Sequence, residues 1–234
     1  MEHQALKPTP GTHEATDALA SEPLVGVVPA DWSAARRASM RVTESSVGVP
    51  TFLVARRIDL TDQLQKYKEA GATLTDVLII AVAQALIAVP AIHSCLRDRL
   101  AHHFTSTRVA VLVRAGDALL PIVFPDAETA AAAEIRHERS FLQGQATDKY
   151  LPANRMISPT FVISNLGRYD VDWFSAVLFP DTAATLAVGA IVASSDGGQH
   201  IRAVLTCDHR LVDGIDGAQF LDHLSRNMQH VALT

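Results

Sequence analysis

The chain has 234 residues, of which 48% are hydrophobic and 19% charged, and this composition excludes disorder of the whole chain because there is ample apolar surface to bury. Net charge is −5, and the absence of any basic stripe in the sequence predicts neither nucleic acid nor a membrane as a partner. Only two cysteines occur, which is too few for a disulfide framework and predicts a reduced, cytoplasmic setting.

The N-terminal part of the chain shows no apolar period. Residues 1–25 are rich in Pro, Thr, Ala, Glu and Gly and are interpreted as a flexible tail. A single folded domain is predicted over residues 26–234. The first element predicted after the tail is a basic helix over Ala34–Glu44, which carries Arg36 and Arg37.

Segments of strand and helix character alternate along the rest of the chain. The apolar run Val77–Val89 is too short to span a bilayer and ends at Pro90, so it is interpreted as a buried helix. Mixed strands and helices around one core predict an α/β or α+β sandwich. Strands are predicted at residues 51–58, 108–114, 119–124, 160–164, 185–192 and 201–207, and helices at 73–89, at 127–143 and from about 216.

The segment CDHRLVDG, Cys207–Gly214, is the sharpest local feature. A strand runs out of the core into a polar turn, which presents His209 where a rigid scaffold positions reactive groups. Histidine is a natural general base near neutral pH, and Asp213 could pair with an arginine to hold the loop. Cys207 has the same strand parity as His209 and is predicted to line the site. A solvated histidine in a polar turn stays an alternative.

The second feature is the ISNLG turn, Ile163–Gly167. The hydroxyl of Ser164 leaves a buried strand there and could donate a hydrogen bond to an oxyanion. Asn165 and Gly167 in the same turn are predicted to contact the substrate. The alternative is a local turn in which the Ser and Asn side chains bond neighbouring backbone.

Motifs for several other chemistries are missing from the sequence. There is no CxxC, no HExxH and no paired-histidine spacing, so no metal site is predicted. There is no GxGxxG or P-loop for nucleotide phosphates. Ser164 lacks the flanking glycines of a GxSxG elbow, which argues against a Ser-His-Asp hydrolase.

Several segments together resemble one family, in the same order over about residues 28–228. DHRLVDG at 208–214 resembles the DHRxxDG signature in the catalytic domain of 2-oxo acid dehydrogenase acyltransferases, the E2 components. Chloramphenicol acetyltransferase shares that fold and has a similar HxxxDG. TFVISNLG at 160–167 resembles the family's TFTISNLG, and ATLAVGAI at 184–191 resembles AILAVGxI. LTDVLIIAVAQAL at 74–86 resembles the helix that follows VNDFI.

The resemblance implies a two-layer sandwich with a mixed sheet, assembled as a homotrimer with active sites between subunits. His209 would be the general base, and Ser164 of the neighbouring chain would donate to the oxyanion. Asp213 would be structural and paired with Arg36 or Arg37. Acetyl-CoA or another acyl-CoA would be a co-substrate, without a permanently bound cofactor.

Two departures from the family pattern bear on function. The chain has about 25 tail residues where E2 proteins carry lipoyl and subunit-binding domains, and MQHVALT at its end lacks a leucine-rich tail. This favours a stand-alone acyltransferase that acetylates a hydroxyl of a small-molecule or carrier-protein-bound acceptor, as in antibiotic biosynthesis. The alternative is an E2 catalytic core that moves acyl groups between dihydrolipoamide and CoA. A non-enzymatic scaffold is the third hypothesis, and the retained His, Ser and Asp-Gly argue against it.

Overall fold

The computed structural model describes residues 31–147, 157–195 and 197–234. The predicted flexible tail, residues 1–25, lies outside the described residues. The mixed sheet and its helices belong to the unit that begins at Ser33.

Five α-helices and nine strands lie in the described residues. The helices are α1 (Ala34–Glu44), α2 (Gln63–Glu69), α3 (Leu74–Ala88), α4 (Ala132–Thr147) and α5 (Gly214–His230). The strands are β1 (Thr51–Asp59), β2 (Ser94–Arg97), β3 (Leu100–His103), β4 (Arg108–Ala115), β5 (Ala118–Pro125), β6 (Phe161–Asn165), β7 (Ala184–Val188), β8 (Val192–Ala193) and β9 (Gln199–Asp208).

Seven of the strands form one mixed sheet in the order β1-β9-β7-β6-β4-β5, with β8 paired to β9. The central strands β4, β6 and β7 run parallel, whereas β9 is antiparallel to both β7 and β1, and β5 is antiparallel to β4. The strands β2 and β3 form a separate hairpin. This arrangement confirms the predicted mixed-sheet sandwich.

The helix α3 is deeply buried, because apolar residues occupy nearly all of its surface. Val77 through Ala83 are all fully buried. The helix packs against α4 and α5 on one face of the sheet, where Phe161 of β6 also meets Phe220 of α5 with ring centroids 5.3 Å apart. The other face of the sheet carries a smaller cluster of Ala110, Val123 and Val162.

One predicted helix begins later and one predicted strand ends earlier than the sequence pattern suggested. The predicted helix over 127–143 is a short 3-10 helix, Ala127–Thr129, followed by α4. The predicted strand over 185–192 stops at the end of β7, because the chain at Asp172 crosses directly over Gly189. A Cβ atom on Gly189 would lie 1.9 Å from the Asp172 carbonyl oxygen, so only glycine fits this approach. The helix α2 and the β2–β3 hairpin were not predicted.

Among the described residues, no single helix is both long and apolar enough to cross a membrane. The helices α2 and α3 meet the length and composition criteria only as a pair bent by 109°.

Candidate active site

His209 lies directly after β9, in the turn that leads into α5. Its backbone N–H donates to the carbonyl oxygen of Pro50 at 2.8 Å, which continues the β1–β9 pairing beyond the end of the strand. The ring of Phe52 on β1 packs against the imidazole, with centroids 4.5 Å apart. The residue is otherwise exposed, so the imidazole is held on one side and open on the other.

One hydrogen bond determines which nitrogen of His209 can act as a base. Its Nδ1 lies 3.2 Å from the carbonyl oxygen of Val212. A carbonyl oxygen only accepts, so in the neutral ring Nδ1 carries the hydrogen and donates it. Nε2 then keeps its lone pair. The turn therefore prepares the imidazole to accept a proton at Nε2.

An ion pair between the buried Asp208 and the exposed Arg210 supports this turn. The carboxylate of Asp208 is almost fully buried, and Arg210 donates to it from Nε at 2.9 Å and from Nη2 at 2.6 Å. These hydrogen bonds hold the pKa of Arg210 above its usual value. The backbone N–H of Asp208 also donates to Ala183 at 2.9 Å, so the start of the turn is tied to the neighbouring strand.

Asp213 caps α5. Its Oδ1 accepts from the backbone N–H groups of Ile215 at 2.8 Å and Asp216 at 3.1 Å, which are open donors at the start of a helix. The ion pairs among the described residues do not include Asp213. The predicted pairing with Arg36 or Arg37 is therefore not formed within the chain, because both arginines lie on α1, which packs beside β5.

Cys207 lies in the core and does not line the site. Its side chain is fully buried, and a Cβ atom on Gly217 of α5 would lie 3.7 Å from its Sγ. Burial, with the nearby charge of Asp216, raises the pKa of the thiol to about 12. The prediction that Cys207 lines the site is not met in the described chain, because its side chain is fully buried beside α5 and offers no surface to a substrate.

Ser164 lies near the carboxyl end of β6, far from this turn. Phe161 and Ile163 belong to the core on the helix side, whereas Val162 belongs to the cluster on the other face. Alternation along the strand therefore turns Ser164 to the second face and Asn165 toward the helices. The hydroxyl of Ser164 makes no hydrogen bond to the described residues, so it is available to a ligand.

The side chain of Asn165 holds the turn that follows Ser164. Its Oδ1 accepts from the backbone N–H of Gly167 at 2.8 Å, and its Nδ2 donates to Thr75 Oγ1 at 3.2 Å. A Cβ atom on Gly167 would lie 2.9 Å from a backbone oxygen of Gly189. Asn165 thus holds the turn as the local-turn alternative predicts for the Asn side chain, whereas the Ser164 side chain makes no such bond. Contact of Asn165 and Gly167 with a substrate stays a prediction.

A cavity of about 700 Å³ opens at this end of β6. Ser164, Asn165 and Gly167 all line it, together with the first turn of α3 and Arg139 of α4. His209 is not part of its wall. No three His, Cys, Asp or Glu side chains within the described ranges gather closely enough to hold a metal ion.

Ser164 and His209 of one chain lie toward opposite ends of the strands in the sheet. Ser164 is in register with Ala187 of β7, and Ala187 with Val204 of β9. His209 follows Val204 by five positions on a strand that runs the other way, a separation of about 17 Å along the strand. One chain therefore cannot bring these two side chains to the same reacting atom.

A polar cluster that adjoins the cavity through Thr73 and Arg139 was not predicted from the sequence. Asp76 in the first turn of α3 is fully buried and accepts a hydrogen bond from Arg139 Nε at 2.6 Å. Its other oxygen accepts from the backbone N–H and the hydroxyl of Thr73. A signal for the Thr73–Asp76 part was present, since Thr-x-x-Asp before an apolar run is a capping pattern. Nothing in the sequence pointed to Arg139.

Comparison with known proteins places the chain in a family. The model of the 2-oxoacid dehydrogenases acyltransferase (catalytic domain) family matches residues 31–234. A dihydrolipoyllysine-residue acetyltransferase component, component 5 of the chloroplastic pyruvate dehydrogenase complex of Arabidopsis thaliana, is 36% identical over 214 residues. That match covers 86% of this chain and 46% of the relative, so the chain spans less than half of that protein's length.

Solved structures agree with the fold. The crystal structure of a probable dihydrolipoamide acetyltransferase from Listeria monocytogenes superposes with a TM-score of 0.82 at 23% identity, covering 89% of this chain and 97% of that one. Chloramphenicol acetyltransferase superposes with a TM-score of 0.58 at 12% identity, covering 85% and 96%. These likenesses confirm the fold that the sequence motifs predicted.

Proposed function

Since the chain belongs to the 2-oxoacid dehydrogenase acyltransferases, in their catalytic domain, we propose that it moves an acyl group between coenzyme A and a dihydrolipoyl thiol. The relative from Arabidopsis thaliana is named for the dihydrolipoyllysine residue, and that acceptor is carried over here as part of the proposal. The observation that carries the mechanism is the hydrogen bond of His209 Nδ1 to Val212, which leaves Nε2 free.

In the proposed reaction, Nε2 of His209 takes the proton of the acceptor thiol. The thiolate sulfur forms a bond to the acyl carbonyl carbon, and the carbonyl oxygen becomes an oxyanion that accepts a hydrogen bond from Ser164. The bond from the acyl carbon to the leaving sulfur then breaks. That sulfur takes the proton back from Nε2, so acyl-CoA is consumed and CoA released without an acyl-enzyme.

The opposite positions of the two groups support a site shared between copies of the chain, with His209 from one copy and Ser164 from its neighbour. An apolar surface is available for this contact. The segment around Trp173 and Val177 crosses the second face of the sheet, where the Thr206 hydroxyl donates to the carbonyl oxygen of Ala176. The side chains of Trp173 and Val177 are each 54% exposed. The homotrimer is the assembly proposed.

Acetylation of a hydroxyl on a small-molecule or carrier-bound acceptor would use the same two groups. The named relative favours the dihydrolipoyl acceptor over this one. A role in antibiotic biosynthesis and a cytoplasmic location stay predictions.

The test is an acceptor assay with the purified chain. Acetyl-CoA is supplied with dihydrolipoamide or with a panel of primary alcohols, and free CoA and the acetylated product are measured. We expect S-acetyldihydrolipoamide from the wild type and none above background from His209→Ala. If only O-acetyl products form, the acceptor is a hydroxyl compound and not a dihydrolipoyl thiol. No CoA release with any acceptor would overturn the proposed function.

A further inference from the structure

The buried carboxylate of Asp76 is the centre of a polar cluster that the proposed chemistry does not use. It lies in the first turn of α3 with a fully buried side chain, and the Arg139 side chain, 17% exposed, meets it from α4. Arg139 Nε donates to Oδ1 at 2.6 Å. A buried carboxylate requires such a partner, because an unpaired buried charge is strongly unfavourable.

Arg139 also holds a second residue of the same turn. Its Nη2 donates to Thr73 Oγ1 at 3.2 Å, while the Thr73 hydroxyl and backbone N–H both donate to Asp76 Oδ2, at 2.7 and 2.8 Å. The planar guanidinium thus binds two residues of the α3 terminus at once, a geometry that a point charge does not reproduce.

Thr75 links this clamped turn to the Ser164 side of the sheet. Its position lies between Thr73 and Asp76, and its hydroxyl accepts from Asn165 Nδ2 at 3.2 Å. Asn165 directly follows Ser164 and also accepts from the N–H of Gly167. Hydrogen bonds, together with the peptide link between Thr75 and Asp76, therefore connect α4 through the first turn of α3 to the turn beside the oxyanion donor.

We propose that Arg139 is a positioning residue for acyl transfer, which fixes Ser164 through Asp76, Thr75 and Asn165. The inference rests on the proposed function. Arg139 lines the same cavity as Ser164, but in this proposal it acts through the turn. Its loss then displaces the Ser164 hydroxyl from the oxyanion and leaves the rest of the substrate contacts in place. A displacement of this kind lowers kcat more than it changes KM.

The kinetic test uses Arg139→Gln, with Arg136→Gln on the exposed face of the same helix as the matched control. Acetyl-CoA and dihydrolipoamide are the substrates. We expect kcat to fall about 10- to 100-fold in Arg139→Gln, with KM values within about twofold and no change in Arg136→Gln. In a Ser164→Ala background, Arg139→Gln should cause no further fall, because both changes remove the same interaction.

A normal kcat in Arg139→Gln overturns the inference. A double variant whose kcat falls by the product of the two single effects also overturns it, because the two changes would then act independently. Arg139→Lys keeps the positive charge but lacks the planar guanidinium that binds Asp76 and Thr73 together, so it should recover part of the kcat. If Arg139→Gln does not fold, Thr75→Val decides in its place, since it removes the acceptor for Asn165 without touching the ion pair. An unchanged kcat in Thr75→Val overturns the inference.

Amide hydrogen exchange at Gly167 is a readout that needs no activity. Its N–H is held by Asn165, so exchange there should quicken in Arg139→Gln and in Thr75→Val and stay unchanged in Arg136→Gln. Unchanged exchange in Arg139→Gln overturns the inference. A wild type that transfers no acyl group contradicts the proposed function instead, and exchange at Gly167 still decides the positioning role.

Discussion

At the residue scale, the proposed chemistry depends on how the backbone holds two side chains. The imidazole of His209 is oriented by Val212 and packed by Phe52, and it contributes little to the core because it is exposed. The hydroxyl of Ser164 faces a cavity and has no competing hydrogen bond among the described residues. Both side chains can therefore be removed with small structural consequences.

We expect His209→Ala to lower kcat by about 10²- to 10⁴-fold, because the thiol loses its general base. The melting temperature should stay close to that of the wild type. CoA release and thermal unfolding measure the two quantities, and His102→Ala, another exposed histidine, is the control. Near-normal turnover in the folded His209→Ala variant would contradict the mechanism.

Ser164→Ala should lower kcat by about 10²- to 10³-fold with little change in KM, since the hydroxyl acts only where negative charge develops. Ser140→Ala, exposed on α4, should behave like the wild type. Intact-mass spectrometry after mixing with acetyl-CoA alone gives an independent check. A stable gain of one acetyl group, absent from Ser164→Ala, would make Ser164 a nucleophile instead.

His93 is a buried titratable residue outside the site. Its Nε2 lies 3.1 Å from Thr160 Oγ1, and burial together with the charge of Arg108 lowers its pKa from 6.5 to about 4. Between these two values the unfolded chain binds a proton that the folded chain does not. The free energy of unfolding therefore falls as pH decreases through this window.

We expect the urea midpoint of the wild type to decrease from pH 7 to pH 5, and to decrease less in His93→Gln, which lacks the titrating ring. His102→Gln, on the exposed strand β3, should follow the wild type. Identical pH dependence in the wild type and His93→Gln would show that His93 does not carry this effect.

At the scale of elements, close contacts between segments determine where strands end. Val188 is the last residue of β7, and Gly189 then lies under the crossing chain at Asp172. The N–H of Ala190 donates to Val171 at 2.7 Å, which holds the crossing segment in place. The apolar pattern alone continues through this point, so it predicted a longer strand.

Gly189→Ala should lower the free energy of unfolding by about 1–3 kcal/mol or more, because the new methyl group meets backbone atoms that cannot move aside. Gly144→Ala is the matched change in open space, with nothing within 4 Å of the added Cβ. It should raise stability by about 0.5–1 kcal/mol, since alanine favours the helix α4. Urea unfolding measures both, and equal effects would contradict this account of β7.

At the scale of the whole molecule, strand direction separates the two halves of the proposed site. Because β9 runs antiparallel to β7 and β6 runs parallel to β7, the carboxyl ends of β9 and β6 point to opposite ends of the sheet. The proposed site then needs His209 and Ser164 from two different copies. This consequence can be tested without knowing the contact between the copies.

Mixing His209→Ala and Ser164→Ala chains should restore activity, because a mixed oligomer can place an intact histidine beside an intact serine. With equal amounts in a closed ring, about a quarter of the interfaces have the productive pair. The assay is CoA release after the two inactive chains are refolded together, with each variant refolded alone as the control. No recovery from oligomers shown to be mixed, or a monomer by light scattering, would exclude a shared site.

The sequence by itself determined the features that depend on neighbours along the chain. Val77–Val89 is apolar except for Gln84, which predicts the core helix that is found. The polar run after Cys207 ends a strand and presents His209. The ISNLG turn likewise followed from local chemistry, since Asn165 bonds the backbone two residues on. Hydrophobic period and turn chemistry act over a few residues, so they can be read from the sequence.

Only the tertiary structure decided which distant groups meet. Asp76 requires a buried cation, but the chain has 20 Lys and Arg residues, and packing of α4 on α3 selects Arg139. Asp213 was expected to pair with an arginine and instead caps α5. Such partners depend on strand order and helix packing between segments far apart in the chain. These long-range contacts leave no period in the sequence. Ser164 and His209 could therefore be predicted as site residues, but their positions at opposite ends of the strands in one sheet could not.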